Sequence, residues 1–72
     1  MKDIAYTVFF EQSETGFGAY APDLPGCIAT GTTLELTRQR MRDAIAGHLR
    51  AMREDGDPIP VPSVSELVDV AV

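Results

Sequence analysis

The residues that could do chemistry in this chain are few: one cysteine, Cys27, one histidine, His48, and the carboxylates Asp3 and Glu11 at the two ends of an apolar stretch. A reactive thiolate needs a base or a cation nearby to lower its pKa. Nothing in the spacing pairs Cys27 with His48, and a small thiol between apolar neighbours is expected to be buried and inert. His48 stands four residues from both Ala44 and Met52, with no carboxylate placed to orient its imidazole as general-base work requires, so it is expected at the edge of a core. Asp3 and Glu11 flank the centre of their segment rather than occupy it, which argues against a metal-dependent hydrolytic centre. No cluster of histidines and cysteines could hold zinc, and a single cysteine cannot form an internal disulfide. The expectation is a non-catalytic protein with no cofactor.

The elements that would position these residues are legible from periodicity. Ile4 to Glu11 alternates, placing Ile4, Tyr6, Val8 and Phe10 on one face and Ala5, Thr7, Phe9 and Glu11 on the other, as a strand does. "QSETG" reads as a hairpin loop and "FGAYA" as the returning strand, which Pro22 ends because it lacks a backbone donor. "CIATG" supplies a third strand. At Thr32 the period changes, and Thr32 with Glu35 makes a capping-box pattern. An apolar stripe of Leu34, Met41, Ile45, Leu49 and Met52 then runs to about Asp55, where Gly56 ends the helix. The alternating prolines of "DPIPVPS" predict a stiff extended connector, and "ELVDVAV" a terminal strand.

The fold class expected is therefore α+β, with residues 1–72 as one domain: a three-stranded antiparallel meander, a crossover helix, and a C-terminal strand laid parallel to the first, in the order 3-2-1-4. That strand order leaves two edges, and one helix covers only one face of the sheet. A chain of 72 residues has a marginal core and none of the usual staples. Self-association is expected to make up the deficit, as a homodimer or higher oligomer through Phe9, Val68, Val70 and Val72.

Net charge is −5, from eleven acids against six bases, which disfavours direct binding of this chain to nucleic acid and favours a basic protein partner. Five of the six bases, Arg38, Arg40, Arg42, Arg50 and Arg53, fall within the helix and read as a solvated face. No apolar run approaches the roughly 18 residues of a membrane span, and the N-terminus has no separate hydrophobic region or cleavage site, so a cytoplasmic location is expected.

"APDLPGC" is the densest stretch, and it reads mainly as a chain reversal: Pro22 ends a strand, Pro25 and Gly26 turn the chain, and Asp23 bonds nearby amides. Leu24 is either folded back onto the core or offered to a partner. Pro22 to Cys27, followed by Gly31, Thr33, Leu34 and Glu35, resembles the HicB antitoxin family. The likeness reaches back to Tyr6, Gly16 and Phe17 and forward through His48, Leu49 and "PIPVPS". It implies a partial RNase H-like fold without catalytic residues, a HicA-type toxin as partner (small, basic and mRNA-cleaving), and Asp23, Leu24 and Pro25 as partner contacts. Many relatives carry a DNA-binding module after this domain, and none is read before Val72, so operon repression is not expected of this chain. The alternative is an orphan homo-oligomeric binding module of the same family, with an unknown ligand and no toxin.

Overall fold

The computed structural model describes residues 3–72. Strand β1 (Phe9–Ser13), β2 (Gly16–Tyr20) and β3 (Ile28–Gly31) precede a single helix α1 (Leu34–Glu54), an α+β arrangement. The three strands form one antiparallel sheet in the order β1-β2-β3, with Phe9 opposite Tyr20 and Tyr20 opposite Ile28. The meander is as expected.

The first strand begins later than its alternation suggests. Phe9 pairs with Tyr20, the last residue of β2, and Pro22 stops β2 from extending further, so residues 4–8 have no pairing partner. They keep the expected facing nonetheless: Tyr6, Val8 and Phe10 lie against the core, while Phe9 is exposed. At the other end β1 runs into the expected loop, and Ser13 pairs with Gly16 across a turn of Glu14 and Thr15.

The helix starts one residue later than Thr32 would set it. Thr33 is the cap: its backbone is extended and its hydroxyl accepts from the Leu36 N–H at 3.1 Å. Glu35 therefore lies in the first turn, favourable to the helix dipole, but does not close a capping box. The C-terminal end closes as anticipated, with the Gly56 N–H donating to the Arg53 carbonyl at 3.2 Å and the Asp57 N–H to that of Met52 at 2.8 Å.

The core lies between the inner sheet face and α1, and comprises Ala19, Ala21, Leu24, Cys27, Met41 and Leu49, flanked by Phe10, Ala29, Ile45 and Met52. Thr37, not Leu34, begins the buried stripe of the helix; it is fully buried and Leu34 is exposed. The Thr37 hydroxyl is accommodated because it donates to the Thr33 carbonyl at 2.7 Å. Its position also explains Gly31, where a Cβ would stand 2.7 Å from the Thr37 hydroxyl oxygen.

Residues 57–72 contain no helix or strand, so the expected fourth strand is not formed in this chain by itself and the sheet order stops at 3-2-1. Alternation in "ELVDVAV" signals a readiness to be extended, but a strand also needs a neighbour, and among the described residues these have none. The Cα radius of gyration, 14.0 Å, exceeds the roughly 11 Å of a compact chain of this length. Val64, Leu67, Val68, Val70 and Val72 are all exposed along this arm.

Candidate protein-binding surfaces

The reversal from Ala21 to Cys27 is two turns in succession. The Leu24 N–H donates to the Ala21 carbonyl and the Cys27 N–H to the Leu24 carbonyl, both at 3.0 Å, and a longer bond of 3.4 Å from Ala21 N–H to the Cys27 carbonyl closes the loop. Every third residue, Ala21, Leu24 and Cys27, consequently points inward and is buried. Gly26 takes a φ of 83°, which the second turn requires and a β-carbon would oppose.

Leu24 is 1% exposed, so its side chain is folded onto the core rather than presented. The Asp23 carboxylate is engaged with the distant connector, accepting from the Ser63 hydroxyl at 2.6 Å and the Ser63 N–H at 2.8 Å. These bonds hold its pKa below the ordinary carboxylate value. Pro25 is left exposed at the tip. Asp23 and Ser63 are forty residues apart in sequence, and no local pattern pairs them.

Cys27 is a free, buried cysteine whose pKa burial raises, the opposite of what activates a nucleophile. His48 is half-buried on α1. Among the described residues no three His, Cys, Asp or Glu side chains come together as a metal site would need, and no helix is long and apolar enough to cross a membrane.

What the fold does assemble is apolar surface. Register places Phe9, Tyr20 and Ile28 side by side across the three strands on the face away from α1. All three are exposed, and Phe9 and Tyr20 stack with ring centroids 5.5 Å apart. Phe9 was foreseeable from alternation, whereas the row it belongs to needed the register. A second surface, a groove of about 410 Å³, opens between residues 4–10 and the helix. Its floor is Tyr6, Val8, Phe10, Met41 and Ile45, and the exposed Arg38 and Arg42 also line it. The Arg38 guanidinium lies 5.9 Å from the centre of the Phe10 ring. Arg40 points elsewhere, donating to the Thr30 carbonyl of β3 at 2.9 Å.

The connector passes the N-terminal segment on its way out. The Tyr6 hydroxyl donates to the Pro60 carbonyl at 2.6 Å, and the Thr7 and Ser65 hydroxyls stand 3.1 Å apart. Beyond Ser65 the arm, with Val68, Val70 and Val72, makes no such contact among the described residues and is exposed.

The domain thus exposes two apolar surfaces, while its most elaborate loop is spent on structure. Residues 6–71 match the HicB-like antitoxins of bacterial toxin-antitoxin systems. The chain belongs to that family. It is 36% identical over 62 residues to Antitoxin HicB 2 of Photorhabdus laumondii, covering 86% of this chain and 45% of that protein. Over 55 residues it is 33% identical to an uncharacterized 14.9 kDa protein from the rep-hol intergenic region of Haemophilus phage HP1, covering 76% of this chain and 41% of the other. The chain thus spans less than half the length of these curated relatives. A chain of the solved HicA3 and HicB3 toxin-antitoxin complex superposes with a TM-score of 0.70 at 32% identity, over 83% of this chain and 70% of that one.

Proposed function

We propose that this protein is a non-enzymatic antitoxin domain, residues 1–72, that binds a HicA-type toxin in the cytoplasm and masks its RNA-cleaving activity. The single observation that carries the reading is the likeness, at 32% identity, to a chain from a HicA3 and HicB3 complex. The acidic balance of the chain, −5 overall, adds physical support, because it speeds encounter with a basic partner and makes that encounter salt-sensitive. Pro25, exposed at the tip of the loop, is the member of the Asp23–Pro25 turn available for direct contact. Asp23 and Leu24 act on the partner by holding the loop and connector in place.

The domain also self-associates, in this proposal, because its apolar arm and outer sheet face are uncovered. The missing fourth strand, residues 66–72, is then formed beside β1 in the assembled protein, completing a partial RNase H-like sheet in the order 3-2-1-4. The specific observation favouring an oligomer, the exposed arm, holds equally for an orphan binding module without a toxin.

The deciding experiment is RNA cleavage by the HicA-type protein of the same organism, titrated with this chain. Stoichiometric suppression that weakens as salt is raised is expected. Undiminished cleavage at saturating protein removes the antitoxin reading and leaves the orphan.

A further inference from the structure

We infer that the fourth strand is supplied in trans: the arm of one copy, residues 66–72, seats in the groove between residues 4–10 and α1 of a second copy, and the exchange is reciprocal. This rests on the proposed self-association and specifies how it is made. The groove and the arm are complementary in two independent respects. Tyr6, Val8, Phe10, Met41 and Ile45 offer an apolar floor beside an unpaired backbone segment. An extended arm sets Val68, Val70 and Val72 on one side to fill it. Arg38 and Arg42 also line the groove, and Glu66 shares the side of the arm that Val68, Val70 and Val72 occupy, while Asp69 lies on the other side. A basic partner would meet repulsion from those arginines, whereas a second copy brings the opposite charge.

The chain's own arm does not occupy the site. None of residues 57–72 lines the groove. The connector is fixed on the flank of Tyr6 and Thr7 by its bonds through Pro60 and Ser65, after which Leu67, Val68, Val70 and Val72 are exposed. A groove that residues 57–72 leave open, and an exposed apolar arm, are the two halves of an isologous contact in which each copy gives and receives one strand.

Charge reversal tests this. One variant carries Arg38→Glu with Arg42→Glu, the other Glu66→Lys with Asp69→Lys; all four positions are exposed, so circular dichroism is expected to show both folded. In sedimentation equilibrium each variant alone is expected to lose roughly ten-fold or more in self-association, since arm and groove then carry like charge. Mixing the two restores a dimer, because each arm now meets a groove of opposite charge on the other chain. The four-fold variant R38E/R42E/E66K/D69K, with charges exchanged but still matched, dimerises as the wild type does, which separates lost pairing from lost folding. A wild-type chain that stays monomeric at every concentration overturns the self-association reading and this inference together. Dimers that persist in both reversed variants, or variants that fail to recover on mixing, leave self-association standing and overturn the exchanged arm.

Discussion

All five prolines fall in two segments, Pro22 and Pro25 in one and Pro58, Pro60 and Pro62 in the other, and the two are held in opposite ways. The Ala21–Cys27 loop is closed by three backbone hydrogen bonds of its own and buries three of its residues. Residues 58–65 form no regular structure and are tethered through side chains: Tyr6 to the Pro60 carbonyl, Asp23 to Ser63, Thr7 to Ser65. In both, proline lowers the entropy that ordering removes. Where the backbone bonds to itself, the result is a rigid part of the core. Where alternating prolines remove every second donor, the backbone makes no bonds to itself, and the segment is a stiff spacer held by Ile59 against the core, a few hydroxyls and one carboxylate.

The comparison predicts global effects for changes in the first segment and local ones for changes at the second. Leu24→Ala is expected to be the most damaging substitution, at about 2–5 kcal/mol. A core of this size supplies only about 3–5 kcal/mol, so the variant should be largely unfolded by thermal or urea denaturation. A folded Leu24→Ala protein that had lost only the proposed toxin binding would instead make the leucine a contact.

Cys27→Ser comes next, at about 1–3 kcal/mol, because a hydroxyl replaces a buried thiol. In the native protein the thiol should alkylate far more slowly than in the urea-unfolded chain, since burial raises its pKa as well as shielding it. Equal rates would show the loop opening freely.

Tyr6→Phe removes one hydrogen bond to the connector, about 0.5–1.5 kcal/mol, and by this comparison the loss is local. Limited proteolysis beyond residue 57 should accelerate while the melting temperature of the body barely moves. A matching fall in melting temperature would mean that the two segments unfold as one.

The smallest effect is that of acid. The Asp23 pKa is depressed in the folded protein from an ordinary value of 3.8, so its bonds to Ser63 contribute fully above that value and are lost as pH falls through the lower, folded one. Connector proteolysis by an acid-active protease should therefore rise below about pH 4 in the wild type. In Asp23→Asn it should be high already at neutral pH, and a variant that tracks the wild type would remove the carboxylate from the tether.

The helix was legible because its period repeats over 21 residues and outvotes any single position. Its start was blurred because Thr32 and Thr33 both fit a cap, and which hydroxyl faces the third N–H depends on the bend after Gly31. Thr37 went unrecognised as a core residue because polarity hides it, and its acceptor, the Thr33 carbonyl, exists only once the helix does. The sheet was legible as a meander, but the extent of β1 depends on how much of β2 survives Pro22, and the fourth strand on a neighbour that local pattern cannot specify. The same holds for the surfaces. Phe9 showed in the alternation, while the Asp23–Ser63 tether and the Phe9–Tyr20–Ile28 row are products of register and long-range closure.

The Arg40 guanidinium, seated on the Thr30 carbonyl, makes the two margins of the sheet unequal. An incoming strand at β3 would have to displace a cation from the backbone it seeks to pair with, while among the described residues no cation is seated on a β1 carbonyl. A sheet that could grow at both margins would polymerise without limit. One that grows at a single margin does not, so the proposed exchange of residues 66–72 would close as a pair and not extend into a fibre.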